Sequence, residues 1–218
     1  MLFFYSTVIA IELICLIFSL FLLSGKRTGW YRQLIWLLVL VVGVESSGFY
    51  IYFIRHFRSN YLLFNIFLPV YVFYTGWIMY QMYRPLSNSR ILITGMLAVF
   101  SAIYLLESIP THFIVFSANA NTSFSICMVI ICLVYYYFLI KTEDFIDVYR
   151  YADFWLVTGL FFFHFVSTAS NFFFKYMTII NKDSIVPIRY SIEILINFIL
   201  YSCWVYAFIC RYRKTISS

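Results

Sequence analysis

Seven stretches of mostly apolar residues, separated by short polar connections, account for nearly the whole chain: Leu2–Leu23, Gln33–Ile54, Tyr61–Tyr83, Ile91–Leu106, Thr122–Ile140, Phe154–Phe174 and Ile188–Cys210. About 20 such residues cross a hydrocarbon core of roughly 30 Å, so all seven qualify as spans and the fourth only just does. Lipid offers no partner for backbone N–H and C=O groups, which leaves the helix, with its bonds satisfied internally, as the structure for each. A β-barrel would need short segments of alternating polarity, and the sequence has none. The pattern predicts an all-α polytopic membrane protein, one seven-helix transmembrane domain covering residues 1–218.

Composition agrees. Hydrophobic residues make up 64% of the chain and charged residues 11%, with a mean hydropathy of +0.90. A soluble domain is roughly half apolar and about a quarter charged, so this chain has too few polar residues to cover a water-facing surface. The net charge of +6 does not point to nucleic acid, because the basic residues lie in short clusters between apolar runs, such as Lys26-Arg27 and Arg211-Arg213-Lys214. That is how membrane topology is encoded, not how a phosphate backbone is tracked. Cys15, Cys127, Cys132, Cys203 and Cys210 all fall in predicted spans without a CxxC or Cys/His spacing, which favours packing roles.

The K/R distribution sets the expected orientation. With the N-terminus outside, the inner connections and tail hold Lys26, Arg27, Arg32, Arg84, Arg90, Lys141, Arg150, Arg211, Arg213 and Lys214. The outer ones hold Arg55, Arg58, Lys175, Lys182 and Arg189, so ten face five and N-out, C-in is predicted. The first span has no basic n-region before it, carries Glu12, and shows no small-residue cleavage site before Lys26, so it reads as a span and not as a cleaved signal. Ser108–Asn121 and Lys175–Pro187 are the longest expected outer loops. Lys141–Asp153 is the longest inner one, made acidic by Glu143, Asp144 and Asp147 and read as a solvated connector.

Against this background the polar residues inside spans are the informative ones. A charged side chain at the bilayer centre costs about 2.5–3.5 kcal/mol on insertion scales, so such a residue faces the bundle or a wet cavity. Glu12 lies in span one, Glu45 in span two just before Ser46-Ser47-Gly48, and His164 in span six. Helical spacing extends these into stripes: His164, Ser167 or Thr168, and Asn171 on span six, and Glu193, Asn197 and Tyr201 on span seven. Asn65 lies one turn before Pro69, where a kink frees a carbonyl. Under the inferred orientation most of these groups fall in the outer half of the bilayer and would line a pocket opening outward. Asn65, Asn197 and Ser167 suit helix-to-helix bonding, worth about 0.6 kcal/mol on average. Glu12, Glu45 and His164, ionisable at mid-depth, are the stronger candidates for ligand binding or proton relay.

Several chemistries drop out. Span seven contains no lysine, so a retinal Schiff base there is excluded. The three histidines, His56, His112 and His164, lie on separate segments, which gives a metal or haem site no support. Neither G-x-S-x-G nor a glycine-rich phosphate loop is present. No cofactor is expected. Asn121-Thr122-Ser123 fits a glycosylation sequon, a single triplet of little weight.

Val44-Glu45 with Gly48-Phe49-Tyr50, then Phe64-Asn65-Ile66-Phe67 with Pro69, resemble spans two and three of an uncharacterised family of small bacterial seven-helix membrane proteins. Phe154-Trp155-Leu156-Val157-Thr158-Gly159 and Asn197-Phe198-Ile199-Leu200-Tyr201 resemble that family's spans six and seven. The resemblance implies a stand-alone unit of the bacterial inner membrane and, because members neighbour histidine kinases, a signalling role. It supplies no catalytic residues. A separate echo within the chain pairs Ile14-Cys15-Leu16 with Ile131-Cys132-Leu133, Tyr31-Arg32 with Tyr149-Arg150, and Tyr74, Trp77 and Arg84 with Tyr201, Trp204 and Arg211. The order is that of two parallel three-helix units joined by span four. This arrangement is similar to SWEET-type transporters, although their proline-glutamine motif is missing here.

Two functional readings follow. In the first, the protein is a membrane sensor or signalling subunit that binds a small ligand in the outward pocket and acts through a cytoplasmic partner. In the second, it is a small solute or proton-coupled transporter, with Glu12, Glu45 and His164 titrating near the midplane. An intramembrane enzyme using Glu45 and His164 as acid and base ranks last, because no nucleophile or metal set accompanies them. The expected partners are the bilayer, a cytoplasmic signalling protein and a second copy of the chain, and not nucleic acid.

Overall fold

The computed structural model describes residues 2–54, 60–86, 90–141, 147–180 and 182–216. Among these residues lie seven helices long and apolar enough to cross a membrane: α1 (Leu2–Leu23), α2 (Gln33–Phe49, continued by a π-helical turn over Tyr50–Ile54), α3 (Tyr61–Tyr83), α4 (Arg90–Ser108), α5 (Ala118–Lys141), α6 (Ala152–Ile180) and α7 (Lys182–Ile216). Large apolar side chains stand far out of the protein, among them Phe21 at 77%, Ile91 at 83% and Ile140 at 84% exposure. Water would not tolerate such a surface, whereas acyl chains would.

The first three helices begin and end where the hydrophobic pattern placed them. The last two run further. Lys175–Pro187, expected to be a loop, is helical at every described position, with Asn181 outside the described residues. Between residues 175 and 186 the sequence has neither Gly nor Pro, so no residue there stops the helix on either side of Asn181. The sequon Asn121-Thr122-Ser123 lies inside the first turns of α5. Glu143 and Asp144 of the acidic connector, and His56, Arg55 and Arg58, fall outside the described residues. The described part of that connector holds one 3-10 turn, Val148–Arg150.

The chain forms two compact units. The first comprises Met1–Val39 and Phe145–Ser218. Here α6 and α7 are an antiparallel pair: Trp155 meets Tyr206, with ring centroids 4.8 Å apart, and four residues further along α6 Gly159 meets Leu200, Cys203 and Trp204. A Cβ on Gly159 would lie 3.0 Å from the Leu200 carbonyl oxygen, so the missing side chain is what lets the two backbones approach. Leu156, Val157 and Leu160 of α6 are buried. α1 lies parallel to α7, as the ordered contacts Tyr5–Tyr190 and Glu12–Tyr201 require.

The second unit comprises Leu40–Asp144. It is built on the α4–α5 pair with α3 against it. Gly76 of α3 faces Met96, Leu97 and Ile93 of α4. The buried Tyr83 donates its hydroxyl proton to the Ile131 carbonyl of α5 and sets its ring edge-on to Tyr135. The grouping puts α1 with α6 and α7, and α3 with α4 and α5.

Candidate functional site

The expected site residues are divided between the units. Glu12, His164, Asn171, Glu193 and Asn197 belong to the first, and Glu45 and Asn65 to the second.

In the first unit the centre is a carboxyl–phenol pair. Glu12 of α1 is 2% exposed, and its Oε1 accepts a hydrogen bond of 3.3 Å from the Tyr201 hydroxyl of α7. Cys15, one turn along α1, is fully buried. His164 of α6 is also 2% exposed, its ring edge-on to Phe163. Asn171, two turns on, is half-buried. The expected stripe on α7 does not hold as a unit. Glu193 pairs with Arg189 one turn back on its own helix at 3.1 Å, and both side chains are about two-fifths exposed. Asn197 turns its Nδ2 to the Glu193 carbonyl at 2.8 Å. Of the three, it is Tyr201 that reaches a neighbouring helix.

Beside this pair runs a groove of about 330 Å³ between α1 and α7, lined by Ile14, Cys15 and Phe18 on one side and Phe198, Val205 and Ile209 on the other, with Tyr201 in its wall. Ile14, Phe18 and Phe198 are 43–57% exposed, so the groove is open at the protein surface.

A second polar cluster, not foreseen from the sequence, closes the end of the same helices. Tyr31, in the 3-10 segment Lys26–Arg32, donates its hydroxyl proton to Asp153 in the first turn of α6. The Arg211 guanidinium of α7 lies over the Tyr31 ring, 4.9 Å from its centroid. Gly29, at φ +65° and ψ −136°, turns the chain beside Arg211 in a conformation open essentially to glycine alone. Arg211 and Lys214 both act electrostatically on the Asp153 carboxylate. One signal was available: an acid at the start of span six and a base at the end of span seven must sit at one depth if the two spans are antiparallel.

In the second unit Asn65 is fully buried and committed. Its Nδ2 donates to the carbonyls of Phe113 at 2.9 Å and Val115 at 2.7 Å, and its Oδ1 accepts from the Ser117 N–H at 3.1 Å. The Asn65 carbonyl takes the Tyr104 hydroxyl at 2.7 Å. Both amide protons are spent on backbone, so Asn65 is a clamp on the α4–α5 connection and has no donor left for a ligand. That connection holds two successive left-handed residues, His112 (φ 48°) and Phe113 (φ 62°). Glu107, also unforeseen, caps α5: its carboxylate accepts from the N–H groups of Asn119 and Ala120 at 3.3 and 3.0 Å. Glu45 is half-buried on α2, one turn before the π-helical segment. Gly48 lets that stretch approach Asn60 and Phe64, which a Cβ would meet at 3.2 Å.

Among the described residues no group of three or more His, Cys, Asp or Glu could hold a metal. Compared with protein-family models, curated proteins and solved structures, the chain finds no match.

Proposed function

We propose that the protein is a membrane sensor or signalling subunit in which α7 couples a small-ligand site at the Glu12–Tyr201 pair to a partner on the cytoplasmic side. The observation that carries this reading is the buried hydrogen bond between a carboxyl on α1 and a phenol on α7. A carboxyl that deep is costly to insert and is retained where it binds or switches. A ligand that takes either hydrogen-bonding group exchanges one α1–α7 contact for another. Ten residues, or about 15 Å of helix, separate Tyr201 from Arg211, so a shift at the pair reaches the Tyr31–Asp153–Arg211 cluster through one continuous rod. α7 has 35 residues and is about 52 Å long, well beyond a core of about 30 Å. Its end therefore extends past the hydrocarbon.

The ten-to-five bias of Lys and Arg supports an N-out, C-in orientation, with that end in the cytoplasm of a bacterial inner membrane. Exposed Arg150 and Lys214 would meet the partner there.

The test is co-purification of the full-length protein under mild solubilisation. A soluble protein is expected in stoichiometric amount, lost in the double variant Arg150→Glu, Lys214→Glu and altered in affinity by Tyr201→Phe. Recovery of the protein alone, with solute flux in reconstituted vesicles that is abolished by Glu12→Gln, would replace this reading with the transporter.

A further inference from the structure

The groove beside the polar pair has its own chemistry, independent of the ligand reading above. It follows α1 from Ile11 to Phe18 and α7 from Phe198 to Ile209, and the α7 side rises about 16 Å. That is half of a hydrocarbon core of about 30 Å, one leaflet deep.

The two ends differ. At one end lie Ile11 and Phe198, and the wall there carries Tyr201, whose hydroxyl proton is already donated to Glu12. At the other, α7 continues in phase: residues four apart share a helix face, so Tyr201, Val205 and Ile209 are followed by Arg213. Arg213 is exposed, and the adjacent Tyr212 is 42% exposed, an amphipathic ring of the kind that sits at headgroup level.

We infer that the α1–α7 groove holds one acyl chain of an anionic phospholipid from the leaflet at the C-terminal end of α7, with its phosphate on Arg213. The chain fills the groove from the Tyr201 level outward, and the guanidinium pairs with the headgroup in a geometry that a zwitterionic lipid satisfies less well, because its own cation competes. A basic residue near an anionic surface contributes about 1 kcal/mol, equivalent to a roughly fivefold preference.

The full-length protein in mixed micelles with equimolar phosphatidylglycerol and phosphatidylcholine of matched chains, read by native mass spectrometry, tests this. Bound phosphatidylglycerol should exceed phosphatidylcholine about fivefold. Arg213→Gln should bring the ratio near one while Arg213→Lys keeps it above one. Ser202→Trp, which puts an indole on the groove wall, should reduce total bound phospholipid at least fivefold. A wild-type ratio near one, a ratio unchanged in Arg213→Gln, lipid retained in Ser202→Trp, or a lipid-free dimer covering the groove with a second copy would each overturn the assignment.

Discussion

Replacing Asn65 with alanine removes three hydrogen bonds at once, and their surroundings determine how much each is worth. The Phe113 residue is half-buried and Val115 is exposed, so water can replace the amide at their carbonyls. Each of these two bonds then counts for about 0.6 kcal/mol, the average for polar contacts between membrane helices. Ser117 is fully buried, and its N–H would lose its acceptor with no substitute, a loss of about 2 kcal/mol. The total is about 3 kcal/mol, or a factor of about 150 in the equilibrium for opening the connection. Hydrogen exchange of the full-length protein in micelles reads this locally. In Asn65→Ala the protection of the Ser117, Asn119 and Ala120 amides should fall by about two orders of magnitude, while amides in α6 stay unchanged. The strained pair supplies a second arm. His112→Gly relieves about 1–2 kcal/mol of left-handed strain and costs about 0.5–1 kcal/mol in backbone freedom. It should therefore stabilise the wild type slightly, and destabilise by about 0.5–1 kcal/mol once Asn65→Ala has let the connection relax, because the backbone cost then stands without the relief. A loss of protection below about fivefold in Asn65→Ala would refute the reasoning, because the clamp would then bear no strain.

Two further outcomes are expected. Gly159→Ala should destabilise the α6–α7 pair by about 1–3 kcal/mol in a denaturant titration, since the new methyl meets an immovable backbone carbonyl at 3.0 Å. Gly43→Ala, whose methyl meets nothing within 4 Å, should instead gain about 0.5–1 kcal/mol from helix propensity. Tyr31→Phe should cost about 1 kcal/mol and also weaken partner retention, because it removes one of the two phenol donors of the half-buried Asp153 and leaves Tyr151 as the other.

The spans were legible because bilayer thickness fixes a length and the absence of water fixes a conformation, so hydropathy alone placed α1 to α3. The ends of α6 and α7 were less so: Lys175 and Lys182 read as water-facing loop residues, yet charge does not terminate a helix, and Pro187 falls within the first two turns of α7 without ending it. Glu12 was correctly singled out as buried, and its partner Tyr201 lay on the stripe chosen for α7. Glu193 and Asn197, at the same spacing, turned back onto their own helix, because periodicity gives a direction and not a partner. The Tyr31–Asp153–Arg211 cluster was invisible for the converse reason. Its members are about 60 to 180 residues apart and each had an ordinary local explanation, as a topology signal or a helix start.

Gly159 has a mechanical consequence. Contact between two backbones resists sliding, because any axial step drives a carbonyl into the opposing chain, but it permits rocking about the point of touch. α7 is gripped near Leu200 and Trp204, with Tyr190 and Arg211 on opposite sides of that point. It is thus a lever over a fulcrum, and a push at one arm must return at the other with reversed sign.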